Sequence, residues 1–191
     1  RLAFSVMWIR LKGFLKTAGS IIVITVAVVF VLQSTPMTSE YGFADENLPP
    51  QQSVYGAMSK AAAPIFAPAG FDSWSIAGTL VTGFVAKEAV ISTWALTYGL
   101  DDPSDDTAEE QGSSPLAEAI REDFNNASGG HAIAAVWAFM VFLLAYTPCV
   151  ATLAAQRREI GTKWMLYGVG MQLLAAYIMA IIVFNVLKIW F

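Results

Sequence analysis

The stretch Trp74–Gly99, WSIAGTLVTGFVAKEAVISTWALTYG, is apolar over most of its length yet carries Lys87 and Glu88 near its middle, with Gly78 and Gly83 upstream. A continuous lipid-facing helix does not tolerate such a pair, because each charge costs about 2.5–3.5 kcal/mol at the membrane centre. Either the two side chains face protein or water, or the helix breaks there. A break predicts two half-helices, Trp74 to about Gly83 and Val85 to Tyr98, each too short to span. Together they form a re-entrant hairpin, whose non-helical backbone is allowed at that depth only where protein buries it or a wet cavity receives it.

The rest of the composition places this stretch in a membrane. Of 191 residues, 56% are AVILMFWYC and 14% are charged, against roughly half apolar and a quarter charged in soluble domains. Three further apolar segments, Ala18–Leu32, His131–Ala155 and Trp164–Trp190, approach or exceed the roughly 20 residues of a spanning helix. Before the first, WIRLKGFLK sets Trp8, Ile9, Leu11, Phe14 and Leu15 against Arg10, Lys12 and Lys16, the pattern of an interfacial helix running into a span. Val54–Phe71 is a second candidate interfacial helix, ended by Pro64 and Pro68. The expected fold is an all-α polytopic membrane protein with a re-entrant or broken hairpin and interfacial amphipathic helices. Its parts are 1–33, the interfacial helix and first span; 34–73, a polar loop with an amphipathic helix; 74–99, the broken segment; 100–130, an acidic connector; and 131–191, two further spans. RLAFSVMWIRLKGFLK has neither an initiator Met nor a signal-peptide pattern, so the chain reads as a fragment of something longer.

Charge narrows the partners. The net charge of −4 arises largely from Asp101–Glu110, so no basic surface invites nucleic acid; the lipid bilayer is the partner that composition implies. The connector Asp101–Gly130 holds nine acids and one arginine and ends in SGG, a composition that predicts mobility. Cation counting bears on topology. With the start inside and the second segment re-entrant, Arg1, Arg10, Lys12, Lys16, Arg157, Arg158 and Lys163 are cytoplasmic, and Lys60, Arg121 and Lys188 lie outside. Four full spans would move Arg157, Arg158 and Lys163 outside together, so the positive-inside rule leans towards the hairpin.

The second break is YTPCVATLAAQRRE, Tyr146–Glu159, which sets the chain's one cysteine beside a proline inside an apolar run. Pro148 lacks an N–H and clashes with the preceding turn, freeing backbone carbonyls near Leu144 and Ala145. Cys149, with Thr147 before it and Thr152 one turn on, then groups soft sulfur and hard oxygen at membrane depth. A thiolate suits borderline transition ions better than Mg²⁺ or Ca²⁺, and broken helices at mid-membrane hold ions in transporters. The plainer alternative is a proline kink with Cys149 packed as a small hydrophobe. Glu88 is likewise an ion ligand or proton relay with Lys87 as its partner or as a resting occupant of the site, or else both charges are structural. Adjacent helical positions point about 100° apart, so each of the two needs a partner elsewhere. Arg157, Arg158 and Lys163 read as topology anchors, and His131 as an interfacial residue. A lone Cys and a lone His exclude a disulfide within the chain and the usual zinc spacings. No phosphate-cradling G-x-x-x-x-G-K-[ST] and no credible nucleophile occur, so the chain reads as no enzyme and carries no nucleotide site.

FLKTAGSIIVI, PIFAPAGFDSWSIAGTLVTGFVAKEAVISTWALTYG and YTPCVATLAAQRREIGTKW resemble, in order and over about Trp8–Phe184, the C-terminal half of the bacterial ferrous iron transport protein B (FeoB) family. The resemblance implies an Fe²⁺ uptake permease of the bacterial inner membrane, crossing it several times, whose longer form starts with a cytoplasmic GTP-binding domain and has two Gate regions. This chain resembles the part containing the second Gate, without the GTPase domain or the first Gate. Small Feo accessory proteins and a homo-oligomer are the partners it implies. Position by position, Cys149 falls on the second-Gate cysteine, Pro148 on its helix-breaking neighbour, and Lys87 and Glu88 on the family's A-K-E block. Two other classes compete: a Gate-type carrier of another solute such as a nucleoside, and a non-transporting membrane scaffold or oligomerisation module.

Overall fold

The computed structural model describes residues 7–8, 11–13, 20, 23–24, 27–37, 41–45, 48–85, 90–103, 106–146 and 150–190. Among them the chain is helical, and its one β-type pairing is an antiparallel bridge between Pro36 and Ser53. The helices are α1 (Val54–Ala62), α2 (Trp74–Val85), α3 (Val90–Tyr98), α4 (Ala108–Ser113), α5 (Pro115–Ala127), α6 (Ala132–Ala145) and α7 (Val150–Leu187), with 3-10 turns at Pro50–Gln52 and Ala63–Ala69. Ahead of α1, residues 27–34 are helical. Ile9, Arg10, Phe14, Leu15 and Lys16 of the expected interfacial helix lie outside the described residues. The first helical stretch is tied to the rest where Val54 N donates to Thr35 O at 2.9 Å and Met37 N to Gln52 O at 2.8 Å.

α1 starts where Ser53 caps it, its hydroxyl accepting from Gly56 N at 3.1 Å. One face of it buttresses the core: Tyr55 and Ser59 are buried against α2. A Cβ on Gly78 would stand 2.7 Å from Ser59 Oγ and 2.8 Å from Tyr55 Oη, so only glycine permits this crossing. The α-helix gives way to the 3-10 turn one residue before Pro64, and Gly70, at φ 77°, closes that turn. Such a left-handed backbone favours glycine, and at Gly70 the ring of Phe184 occupies the place of a side chain.

α2 and α3 fall where two half-helices are expected in Trp74–Gly99, except that Val85 ends the first instead of opening the second. At about 1.5 Å per residue they measure roughly 18 and 14 Å, well short of the ~30 Å hydrocarbon layer. They run antiparallel. Ser75 at the start of α2 meets Tyr98 at the end of α3, with 3.1 Å between their hydroxyls, while the site of a Cβ on Gly83 lies 3.0 Å from Val90 Cγ2 at the opposite end.

The acidic connector differs from the mobile segment that its composition predicts. Ser114 caps α5 by accepting from Ala117 N at 3.2 Å, and Pro115 occupies the first helical position, where its missing N–H costs nothing. Leu116 and Phe124 are buried in the common core. Glu118, Arg121 and Glu122 face out, and a spacing of four puts Leu116, Ile120 and Phe124 on the inner stripe. α5 then meets α6 at a 99° bend.

That core is aromatic. Phe71 lies edge-on to Phe139, Phe139 to Phe124, and Trp94 edge-on to Phe124 with a tilted contact to Phe139. α6 buries Ala134, Ala135, Ala138, Phe139 and Phe142, whereas Ile133, Trp137, Met140 and Leu144 are exposed on its far side. α7 likewise buries Ala176, Ala180 and Phe184 and exposes Met171, Leu174, Ile178 and Ile182. Alanines at the contact faces bring two helices close, as at interfaces within lipid, and the outward stripes match a hydrocarbon surrounding. α7 is interrupted at Gly161 (φ 80°, ψ 163°). By length and composition Thr152–Leu187 can cross a membrane; the part beyond Gly161 alone, about 39 Å long, suffices.

Candidate functional site

The tip of the hairpin abuts the end of α6. Tyr146, the residue that ends α6, has ψ 176° and so leaves the helix; helix resumes at Val150. Its hydroxyl donates to Leu80 O on α2 at 3.4 Å, and its ring stacks on Phe142 at 5.4 Å between centroids. The site of a Cβ on Gly83 lies 3.1 Å from Tyr146 Oη and 3.7 Å from Leu143 Cδ1. Four described residues thus converge: Gly83 and Val90, which flank the A-K-E block, and Leu143 and Tyr146, which precede the T-P-C block. Thr79 and Thr82 are buried nearby on α2, their hydroxyls donating to backbone carbonyls, Ser75 O and Thr79 O respectively.

Of the residues singled out from sequence, Lys87, Glu88, Thr147, Pro148 and Cys149 lie outside the described residues. Gly83 sits at the contact just given. Thr152 is half-buried in the first turn of α7 and is not free of partners. Arg157, Arg158 and Lys163 are exposed on either side of the Gly161 interruption. Among the described residues no group of three His, Cys, Asp or Glu is placed to hold a metal ion.

One polar cluster escaped the sequence reading. Asp123 on α5 accepts from Ser73 Oγ at 2.8 Å, from Tyr98 Oη at 2.7 Å and from Ser75 Oγ. Those hydroxyls belong to both ends of the open mouth of the hairpin, so the acidic connector closes that mouth with one carboxyl group. The available signal was helical spacing in Leu116–Phe124, which places Asp123 beside the buried Phe124.

The chain matches a family model, Gate, described as "Nucleoside recognition", over residues 15–163. It is 36% identical to the Fe(2+) transporter FeoB of Methanocaldococcus jannaschii over 92% of its own length. It is 32% identical, over 94% of its length, to a Fe(2+) transport protein A/Fe(2+) transporter FeoB fusion protein of Porphyromonas gingivalis. To the Fe(2+) transporter FeoB of Staphylococcus aureus it is 31% identical, again over 94%. In each case the chain spans about 24% of the relative's length. No solved structure matches it.

Proposed function

We infer that this chain, which belongs to the Gate family, is the permease portion of a ferrous iron transporter and carries Fe²⁺ past a broken helix. The observation that supports this most is the convergence of Gly83 and Val90 with Leu143 and Tyr146. It brings the flanks of the two polar blocks to one place, although the blocks are some sixty residues apart in sequence. In this reading Cys149 and the carbonyls freed by Pro148 ligate the ion transiently, with Thr147 and Thr152 as oxygen donors. Glu88 supplies charge and Lys87 holds the site when no ion is present. Half-length elements that meet between the faces of a bilayer are where transporters bind their cargo.

The same proposal sets the chain as a multi-pass protein of the bacterial cytoplasmic membrane, with Arg157, Arg158 and Lys163 on the cytoplasmic side. Regulation by a GTP-binding domain outside these residues belongs to it, as do small accessory partners of the kind named in the P. gingivalis fusion and self-association. Fe²⁺ uptake into proteoliposomes holding the full-length transporter tests it: Cys149→Ser and Glu88→Ala should each slow uptake at least tenfold (about 1.4 kcal/mol). Uptake at the parent rate in both variants would sink the ligand assignment. The description of the family model favours a second reading, a nucleoside carrier. Inhibition of uptake by nucleosides, with none by Mn²⁺ or Co²⁺, would support that reading instead.

A further inference from the structure

A groove of about 740 Å³ lies between α3, α5 and α6, walled by Ile91, Trp94, Ile120, Ile133, Val136 and Trp137. Its volume falls in the roughly 300–1,000 Å³ range of small-molecule sites. Three polar residues of α5, Arg121, Glu122 and Asn125, stand along it. α6 is apolar on every face; with α6 taken along the membrane normal, the 99° bend lays α5 along the membrane surface. The apolar wall continues directly into the exposed stripe of Ile133 and Trp137, so the groove opens where acyl chains run and its charges sit where headgroups lie.

Charge complementarity selects the occupant. Arg121, the connector's one cation, already donates to Gly112 O at 3.0 Å, and its other N–H groups remain for a phosphate. Beside it are the first turn of α6, which no side chain caps, and Ala132 and Ile133 on the groove wall. Uncapped helix N-termini favour anions. Glu122 adds a negative charge next to Arg121, which penalises a purely anionic headgroup and matches an ammonium. Trp94 lines the groove at 5% exposure, giving it an aromatic floor.

We propose that this groove holds one zwitterionic phospholipid of the ethanolamine class, its phosphate on Arg121 and the start of α6, its ammonium on Glu122, and one acyl chain along Ile91, Ile133, Val136 and Trp137. This goes beyond the transport reading and does not depend on it. The test is lipid binding by the purified full-length protein. Lipid retained through detergent washing is quantified by mass spectrometry, and delipidated protein is then titrated with phospholipids bearing ethanolamine, choline or glycerol headgroups. Arg121, Glu122 and Ile133 are exposed, so substitutions there leave the core alone. Arg121→Ala should weaken every phospholipid about tenfold, the size of one hydrogen bond to a charged group. Glu122→Gln should abolish the preference for ethanolamine over glycerol headgroups while keeping the phosphate contact. Ile133→Trp should fill the groove and abolish retention. Retention of about one ethanolamine lipid per chain, lost in this pattern, supports the proposal. No retained lipid, equal retention by all three variants, or an equal preference for glycerol headgroups overturns it.

Discussion

Gly83→Ala sets two opposing terms against each other at the contact between hairpin and α6. Alanine in a helix interior gains about 0.8–1.0 kcal/mol over glycine. The new methyl, however, would stand 3.0 Å from Val90 Cγ2 and 3.1 Å from Tyr146 Oη, where unstrained carbon contacts lie near 3.5–4.0 Å. Both neighbours would have to give by a few tenths of an ångström, and overpacking of that kind costs about 1–3 kcal/mol. Crowding should win. The expected result is a net loss of about 0–2 kcal/mol, read as a lower thermal midpoint of the detergent-solubilised protein. Val90→Ala removes the nearer obstacle, so in that background Gly83→Ala should become neutral or stabilising. The non-additivity expected of the pair is about 1 kcal/mol, well within what touching residues show. A rise in midpoint with Gly83→Ala alone, together with strict additivity, would refute the contact and with it the closeness of the two polar blocks.

Gly70→Ala meets a backbone at φ 77° and the ring of Phe184. The left-handed conformation alone costs about 1–2 kcal/mol, so the midpoint should fall well beyond that of Gly83→Ala, and Phe184→Leu should restore part of the loss; no loss would show that the turn and α7 do not pack. Asp123→Ala removes the acceptor of three hydroxyls. With groups left unsatisfied at about 1–3 kcal/mol each at most, amide exchange across residues 115–127 should accelerate while that of α7 stays unchanged; unaltered exchange in α5 would contradict the closed mouth. Glu110 accepts from the Thr107 hydroxyl at 2.7 Å and from Thr107 N at 3.0 Å, and those hydrogen bonds hold its carboxyl below the ordinary range. Its folded pKa is thus lower than its unfolded one, so it supports α4 above the usual value of about 4.3 and that support is lost as pH falls through the lowered value. Exchange protection in residues 108–113 should drop on acidification, and Glu110→Gln should make it insensitive to pH.

The hairpin was legible because it announces itself by an error of lipid chemistry: Lys87 and Glu88 stand where a span should be apolar, and α2 and α3 end on either side of them. The connector was misread for the complementary reason. Composition averages nine acids over thirty residues, whereas folding depends on where Leu116, Ile120 and Phe124 fall around a helix. A period-four reading would have found α5, and with it Asp123. Val54–Phe71 shows a third case. Its proline stops were visible, but its burial against α2 depends on Gly78 and on Tyr55 and Ser59 meeting across the chain, a relation that no local pattern encodes. The site divides the same way. Residue types mark out the two polar blocks, and only the three-dimensional contacts of Tyr146 with Leu80 and Gly83 bring their flanks together.

Lengths explain why that meeting can sit at membrane depth. α2 rises about 18 Å from the mouth of the hairpin, and α6 about 21 Å from its corner with α5. Both start on the same side, because Asp123, near the end of the helix that leads into α6, is bonded to Ser73 and Ser75 at the start of α2. In the proposed reading, with that shared start at one face of the hydrocarbon layer, rises of about 18 and 21 Å carry both ends well into its roughly 30 Å. There the Tyr146 hydroxyl reaches Leu80 O rather than lipid. Backbone that leaves helical geometry within a bilayer needs partners from the protein itself, and the contact of Tyr146 with Leu80 keeps protein rather than lipid between α2 and α6. A substitution that separates them, such as a bulky residue at Gly83, should therefore damage uptake and stability together, whereas one that alters only the chemistry of Cys149 or Glu88 should damage uptake alone.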